Sequence, residues 1–155
     1  MINIRNSVKA IIKEENKILF IKQKAKDTGE SFYILPGGGQ DGGETFTDTI
    51  KRECLEELGI EINVDKIVLI REYIGKNHEF AYKHANTHQI EYMFLCSLKT
   101  MVDLSKATHM DPEQIGYEWI DILEIKNKNI YPKVLKTVFD KNGNVMSSIY
   151  LGDIN

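Results

Sequence analysis

Polar and apolar residues alternate from Ser7 to Lys13, which places Val8, Ala10 and Ile12 on one face of an extended segment. An apolar run from Ile18 to Gln23 follows, and the polar Glu14-Glu15-Asn16 between the two reads as a hairpin turn. A polar stretch, Ala25 to Ser31, leads into Phe32-Tyr33-Ile34-Leu35, a short strand ended by Pro36 and three glycines. The spacing then becomes helical from about Thr45 to Leu58, with Gly59 placed as a helix C-cap. Lys66 to Ile74 and Gln89 to Leu98 predict two strands separated by a polar, histidine-bearing loop, and Tyr117 to Ile122 predicts another. Beyond Pro132 the spacing of Val134, Leu135, Val138 and Phe139 predicts a second amphipathic helix, and Ser148 to Leu151 a short last strand. The order β-β-β-α-β-β-β-α has no regular βαβ alternation, so the expected architecture is an α/β sandwich around a mixed β-sheet. No repeat or linker divides residues 1–155, and a single domain is expected.

Composition narrows the function without naming it. Apolar residues make up 42% and charged residues 28% of the 155 positions, the profile of a globular chain with one core. A net charge of −3 argues against a broad basic surface for nucleic acid, and leaves room for a small anionic substrate in a locally basic pocket. Arg5, Lys9 and Lys13 interrupt the apolar positions of the N-terminal segment, so it does not read as a signal peptide. No segment has the continuous apolar length of a membrane span, and a cytoplasmic location is expected. Cys54 and Cys96 lack CxxC spacing and read as two buried thiols rather than a disulfide or a metal site.

The helical segment carries the chemistry. At about 100° per residue, Ile50, Cys54, Leu55 and Leu58 fall on one arc, while Glu53, Glu56 and Glu57 crowd a separate one. Like charges at that spacing weaken a helix unless a cation sits among the oxygens, and hard ions such as Mg²⁺ or Mn²⁺ suit an all-oxygen donor set.

Gly38, five residues, Glu44, seven residues, then Arg52-Glu53-Cys54-Leu55-Glu56-Glu57-Leu58-Gly59-Ile60 resembles the complete Nudix box, with Cys54 at a position that is aliphatic in the family. At a chance of about 7% for each of the seven fixed positions, an accidental match anywhere in the chain is on the order of one in a million. The strand order on either side also resembles the Nudix fold, an α/β/α sandwich. The resemblance implies that Glu53, Glu56 and Glu57, with a carbonyl from Gly38, bind Mg²⁺ or Mn²⁺, which neutralises a diphosphate and acidifies an attacking water. It implies that Arg52 holds the helix carboxylates, that Glu44 braces the loop, and that Gly37 and Gly39 let the backbone turn tightly beside Gly38.

The implied activity is hydrolysis of a diphosphate bond in a nucleoside diphosphate linked to another group. Glu53 and Arg52 are the box residues expected to act in catalysis. Family enzymes often add a carboxylate from outside the box, and Glu113, six residues before Trp119, ranks first, with Glu118, Glu91 and Glu79 in reserve. The Asp111-Pro112-Glu113 loop, with Gly116 behind it, is expected to shift toward the site. Tyr33 is a candidate to stack on a base, and the histidines, which lack paired zinc spacing, read as surface groups. The proline, coenzyme A and NADH motifs of the specialised subfamilies are missing, which leaves nucleoside triphosphates, oxidised ones included, as the expected substrates of a monomer or homodimer. Two alternatives are an RNA 5′-end pyrophosphohydrolase, which the acidic balance disfavours, and a Nudix-fold domain that binds a nucleotide without cleaving it.

Overall fold

The computed structural model describes residues 2–155. Alternation in the first predicted segment becomes β1 (Ile4–Glu14), and the apolar run becomes β2 (Lys17–Lys24). The hairpin between them turns with Glu15 at a φ of +50°, and the two strands pair only next to it, at Lys13↔Ile18 and Glu14↔Lys17. Past that point they part. β2 takes β3 (Ser31–Ile34) and β7 (Gln114–Asp121) as antiparallel neighbours. β1 pairs antiparallel with β4 (Gly37–Gly39) and parallel with β6 (His88–Leu98). β5 (Ile62–Ile74) runs antiparallel to β6, and β8 (Tyr150–Asp153) adds in parallel to β5. The result is an eight-stranded mixed sheet in the order β3-β2-β1-β6-β5-β8, with β4 on β1 and β7 on β2.

Each face of this sheet has its own core, as the period of two requires. Val8, Ala10, Ile12, Leu19 and Ile21 pack with Ile50, Cys54 and Leu58 of α1 (Phe46–Leu58) on one face. On the other, Ile11, Ile18 and Phe20 pack with Ile122, Ile125, Leu135 and Val138. The predicted helix after Pro132 does not form: only a 3₁₀ turn, Lys133–Lys136, is present. Directly after it Asp140 caps a turn, accepting from the amides of Asn142 and Asn144, while Phe139 bridges Val145. With Val134, Thr137 and Val138 β-branched and a turn this close, too few residues remain to propagate a helix. The second helical layer is therefore supplied by 3₁₀ turns, here and at Ile122–Asn127. The three glycines, expected to end a strand, form one of their own, and the histidine-bearing loop contains a single helical turn, α2 (Ala81–His84). No helix among the described residues is long and apolar enough to cross a membrane.

α1 starts and stops on local signals. Thr45 and Asp48 form a reciprocal capping box, and Gly59 closes the helix at φ +63°, its amide reaching back to the Leu55 carbonyl at 3.0 Å. Leu55, assigned to the apolar arc by spacing, is exposed, so the buried stripe is narrower than the wheel suggests. A Cβ at Gly59 would sit 2.0 Å from the Asp103 carbonyl oxygen in a backbone conformation that L-residues avoid. Gly59→Ala should therefore lower unfolding free energy by roughly 2 kcal/mol or more. Urea denaturation measures this, and a change within experimental error would contradict the packing described.

Candidate active site

Two glycine contacts set the spacing between β4 and α1. At Gly37 (φ +136°) a Cβ would collide with the Val8 carbonyl oxygen at 2.0 Å, and at Gly38 it would meet the Glu53 carboxylate at 2.4 Å. Bare backbone therefore brings the strand against both β1 and the helix. The Gly37 amide donates to Glu57 Oε1 at 3.0 Å. The three carbonyls are already engaged: that of Gly37 accepts from Lys9 Nζ (3.2 Å), that of Gly38 from Ser7 Oγ (3.2 Å) and that of Gly39 from Arg52 Nη2 (3.1 Å).

Arg52 organises the carboxylates. Its Nε and Nη2 make a bidentate pair with Glu44 (2.6 and 3.0 Å), and its Nη1 is shared between Glu53 (2.9 Å) and Glu56 (3.3 Å). The guanidinium holds the Glu44 carboxyl down at about 2, and Asp41 N and Thr49 Oγ1 complete the shell of that side chain. Glu57 has a different environment from the other two helix carboxylates: it is buried, and burial pushes it up to about 8 despite the opposing charge of Lys9. Spacing alone grouped Glu53, Glu56 and Glu57 on one open arc, whereas Glu57 is turned in against Gly37.

Among the described residues, no three acidic, histidine or cysteine side chains converge closely enough to enclose a cation. The reason is visible in the contacts, since Arg52 occupies oxygens of Glu53 and Glu56 while Glu57 is bound to the Gly37 amide. The donor set nonetheless fits a hard divalent ion: the available atoms are all oxygens, and the buried Glu57 carboxylate lacks full compensation for its charge. An ion here would take over carboxylate oxygens now held by Arg52 Nη1.

Beside the sheet lies a cavity of about 580 Å³. Phe32, Phe80 and Tyr131 form its aromatic wall, with Tyr131 edge-on to both rings at 5.9 and 5.5 Å. Glu113 also lines it. The segment carrying Glu113 is tethered rather than loose. Its carbonyl accepts from Lys24 N (2.9 Å), its amide donates to Asp111 Oδ1 (2.7 Å), and the next residue, Gln114, donates from Nε2 to the Glu57 carbonyl at 2.8 Å. The expected loop movement thus has little slack, and the reach of Glu113 is that of its side chain.

The reserve carboxylates are committed elsewhere. Glu91 is buried in an ion pair with Arg71, Glu118 pairs with Lys128 at 3.1 Å, and Glu79 pairs with Lys133 at 2.7 Å. Tyr33 is packed in the core, where burial and Glu118 raise its hydroxyl to about 12, and the neighbouring Phe32 faces the cavity in its place. His78 bonds Asp153 (2.6 Å), His84 bonds the Tyr73 hydroxyl (3.1 Å) and His88 bonds Glu72 (3.2 Å), so each has a separate local partner. Both cysteines are free and buried. Lys9 and Arg5, which lie against the glycine strand, and Phe80, in the cavity wall, are not marked as site residues by the sequence; a lysine inside an otherwise apolar strand is the one available signal.

Comparison with known proteins agrees with this arrangement. A family model described as the NUDIX domain matches residues 3–139. The chain is 30% identical over 158 aligned positions to an RNA pyrophosphohydrolase of Campylobacter jejuni, covering 91% of this chain and 96% of that one. It is 29% identical over 117 residues to nucleoside diphosphate-linked moiety X motif 6 of Xenopus laevis, covering 75% of this chain and about half of the relative's length, 49%. A solved NUDIX hydrolase from Nitrosomonas europaea superimposes with a TM-score of 0.71 at 18% identity, covering 93% of this chain and 94% of that one, and so shares the fold. With the family match spanning most of the chain and a complete set of box residues gathered on one helix and its glycine strand, this protein belongs to the Nudix family of hydrolases, which act on pyrophosphate bonds.

Proposed function

We propose that residues 1–155 act as one catalytic domain that hydrolyses a nucleoside triphosphate, oxidised forms included, to the monophosphate and pyrophosphate. The observation that supports this reading best is an aromatic-walled cavity of about 580 Å³, a size suited to one nucleoside, one of whose lining residues, Arg5, lies against the glycine strand. The two meet at Gly39, which touches the cavity residue Arg5 on one side and Arg52 on the other. The base lies against Phe32, Phe80 and Tyr131, and the phosphates extend toward Glu53, Glu56 and Glu57. Those carboxylates, with the Gly38 carbonyl, would hold Mg²⁺ or Mn²⁺. Such an ion supplies charge neutralisation of the diphosphate and a more acidic attacking water. Arg52 and Glu44 keep the carboxylates in place, and Glu53 or Glu113 takes the proton from the water as the bridging P–O bond breaks.

The cavity is lined by three cations, Arg5, Arg71 and Lys83, and three carboxylates, Asp27, Glu30 and Glu113, a neutral balance that favours a small nucleotide over a long polyanion. The second reading is action on RNA 5′ ends, favoured by the near full-length similarity to the Campylobacter jejuni relative named RNA pyrophosphohydrolase.

Phosphate and pyrophosphate release from nucleoside triphosphates, nucleotide sugars, dinucleotides and a 5′-triphosphorylated oligoribonucleotide separates these readings. Turnover of a free triphosphate at least about tenfold above the oligonucleotide is expected; the reverse order would establish the RNA reading. A chelator should abolish activity, and Mg²⁺ or Mn²⁺ should restore it, whereas restoration by zinc alone would exclude the oxygen-donor site.

The buried Glu57 makes a prediction about pH. Its folded value near 8 lies above the ordinary 4.5, so between those values the folded protein holds a proton that the unfolded chain has lost. In chelator, this contribution to stability is complete below about pH 4.5 and is lost as the pH rises toward about 8. Glu57→Gln should remove the decline, on the order of a few kcal/mol, while lowering turnover by about 100-fold or more. Urea curves of both proteins at about pH 5.5 and about pH 8 test it, and parallel pH slopes would refute it.

Glu113→Gln should lower kcat about tenfold or more while metal affinity of the free protein stays near that of the parent. Glu118→Gln, which removes a pairing with Lys128, should leave kcat within about threefold. An inactive Glu118 variant beside an unaffected Glu113 variant would place the additional carboxylate at Glu118.

A further inference from the structure

We infer that Arg5 contacts substrate, its guanidinium receiving the phosphate that leads from the nucleoside cavity to the helix carboxylates. This inference rests on the nucleotide-hydrolase reading above and adds to it a residue outside the box.

Of the three cations lining the cavity, two are committed. Arg71 is buried in its pair with Glu91 and donates from Nη1 to the Ile154 carbonyl at 2.6 Å, and Lys83 is paired with Asp27. Arg5 has no carboxylate within salt-bridge distance and no side-chain hydrogen bond among the described residues, though the chain is acidic overall and the neighbouring helix is crowded with glutamates. β1 places it beside Gln89 of β6, another residue of the cavity wall.

Its position is set by Gly39. An ideal Cβ on Gly39 would lie 2.3 Å from Nη2, 2.6 Å from Nε and 2.8 Å from Cζ of Arg5, so the guanidinium occupies the space where a side chain would otherwise stand. The carbonyl of the same glycine accepts from Arg52, whose Nη1 reaches Glu53 and Glu56. A single residue therefore separates the free guanidinium from the group that holds the helix carboxylates. Arginine is weakly hydrated for a cation and presents a planar fork that matches two phosphate oxygens, so an uncommitted one at this junction is a receptor for phosphate rather than a structural pair.

The test uses isothermal titration calorimetry in chelator, with the four ribonucleoside 5′-monophosphates and the matching ribonucleosides as probes, so no turnover is needed. The parent protein should bind at least one monophosphate about tenfold or more tightly than its nucleoside, the increment of a charge-assisted bidentate contact. Arg5→Gln should bring the two affinities to within about twofold, and Arg5→Lys should keep part of the preference, since it retains the charge but not the fork. Because Arg5 is exposed near the start of β1, circular dichroism and the melting temperature should be unchanged by either substitution. A phosphate preference that survives in Arg5→Gln overturns the inference, as does a parent protein that binds nucleoside and monophosphate equally. Failure of every probe to bind would remove the cavity as the nucleotide site, and the inference with it. A hydrolase reading that fails is recognised separately, by absence of pyrophosphate release from the whole substrate panel.

Discussion

The guanidinium of Arg52 is the contact on which the rest of the site depends. One planar fork takes both oxygens of Glu44, one oxygen each of Glu53 and Glu56, and the carbonyl of Gly39. It thereby joins the loop before α1, the helix itself and the glycine strand. Carboxylates three residues apart on a helix repel one another, and α1 has no basic residue in its last turn to offset the negative end of the helix dipole. Arg52 makes such a helix tenable in the absence of an ion. A lysine could not replace it, because a point charge cannot engage five acceptors in fixed directions.

The sheet delivers the other half of the arrangement. β1 and β2 pair for only two residue pairs before separating, which frees β1 to take the glycine strand on one side and β6 on the other. Residues of β1 alternate between the faces, so Val8, Ala10 and Ile12 anchor α1 while Arg5 faces the cavity and Lys9 reaches the Gly37 carbonyl. One strand thus supports the helix with one set of residues and lines the cavity and the glycine strand with the other.

What could be read from the sequence follows from how local the determining interactions are. The capped helix, its carboxylates and the alternation of β1 depend on spacing within a few residues, and the structure shows each of them. The spacing of Val134, Leu135 and Val138 suggests a helix because they do face a core, but they reach it across a 3₁₀ turn and an Asp140-capped loop instead of helical turns. Tyr33 and Phe32 are adjacent in sequence and point to opposite sides of β3, and which of them meets the cavity depends on pairing with β2. The inward turn of Glu57 likewise depends on Gly37, twenty positions away in sequence. None of these long-range pairings leaves a periodic trace.

The far end of α1 shows how the same fold ties an outside carboxylate to the box. The last carbonyls of the helix have no intrahelical donors, and one segment satisfies three of them in succession: Asp103 N bonds Leu58 O (3.2 Å), His109 N bonds Glu56 O (3.0 Å) and Gln114 Nε2 bonds Glu57 O (2.8 Å). Glu113, adjacent to the last of these donors, is therefore referenced to the backbone of the helix end that carries Glu56 and Glu57. The buried Oε1 of Gln114 has no partner, so its amide is held from the helix side alone. Capping that would otherwise be only structural thus fixes the backbone of Glu113 relative to the helix. A fold that satisfies its helix end in this way keeps the two registered even though they are more than fifty residues apart in sequence.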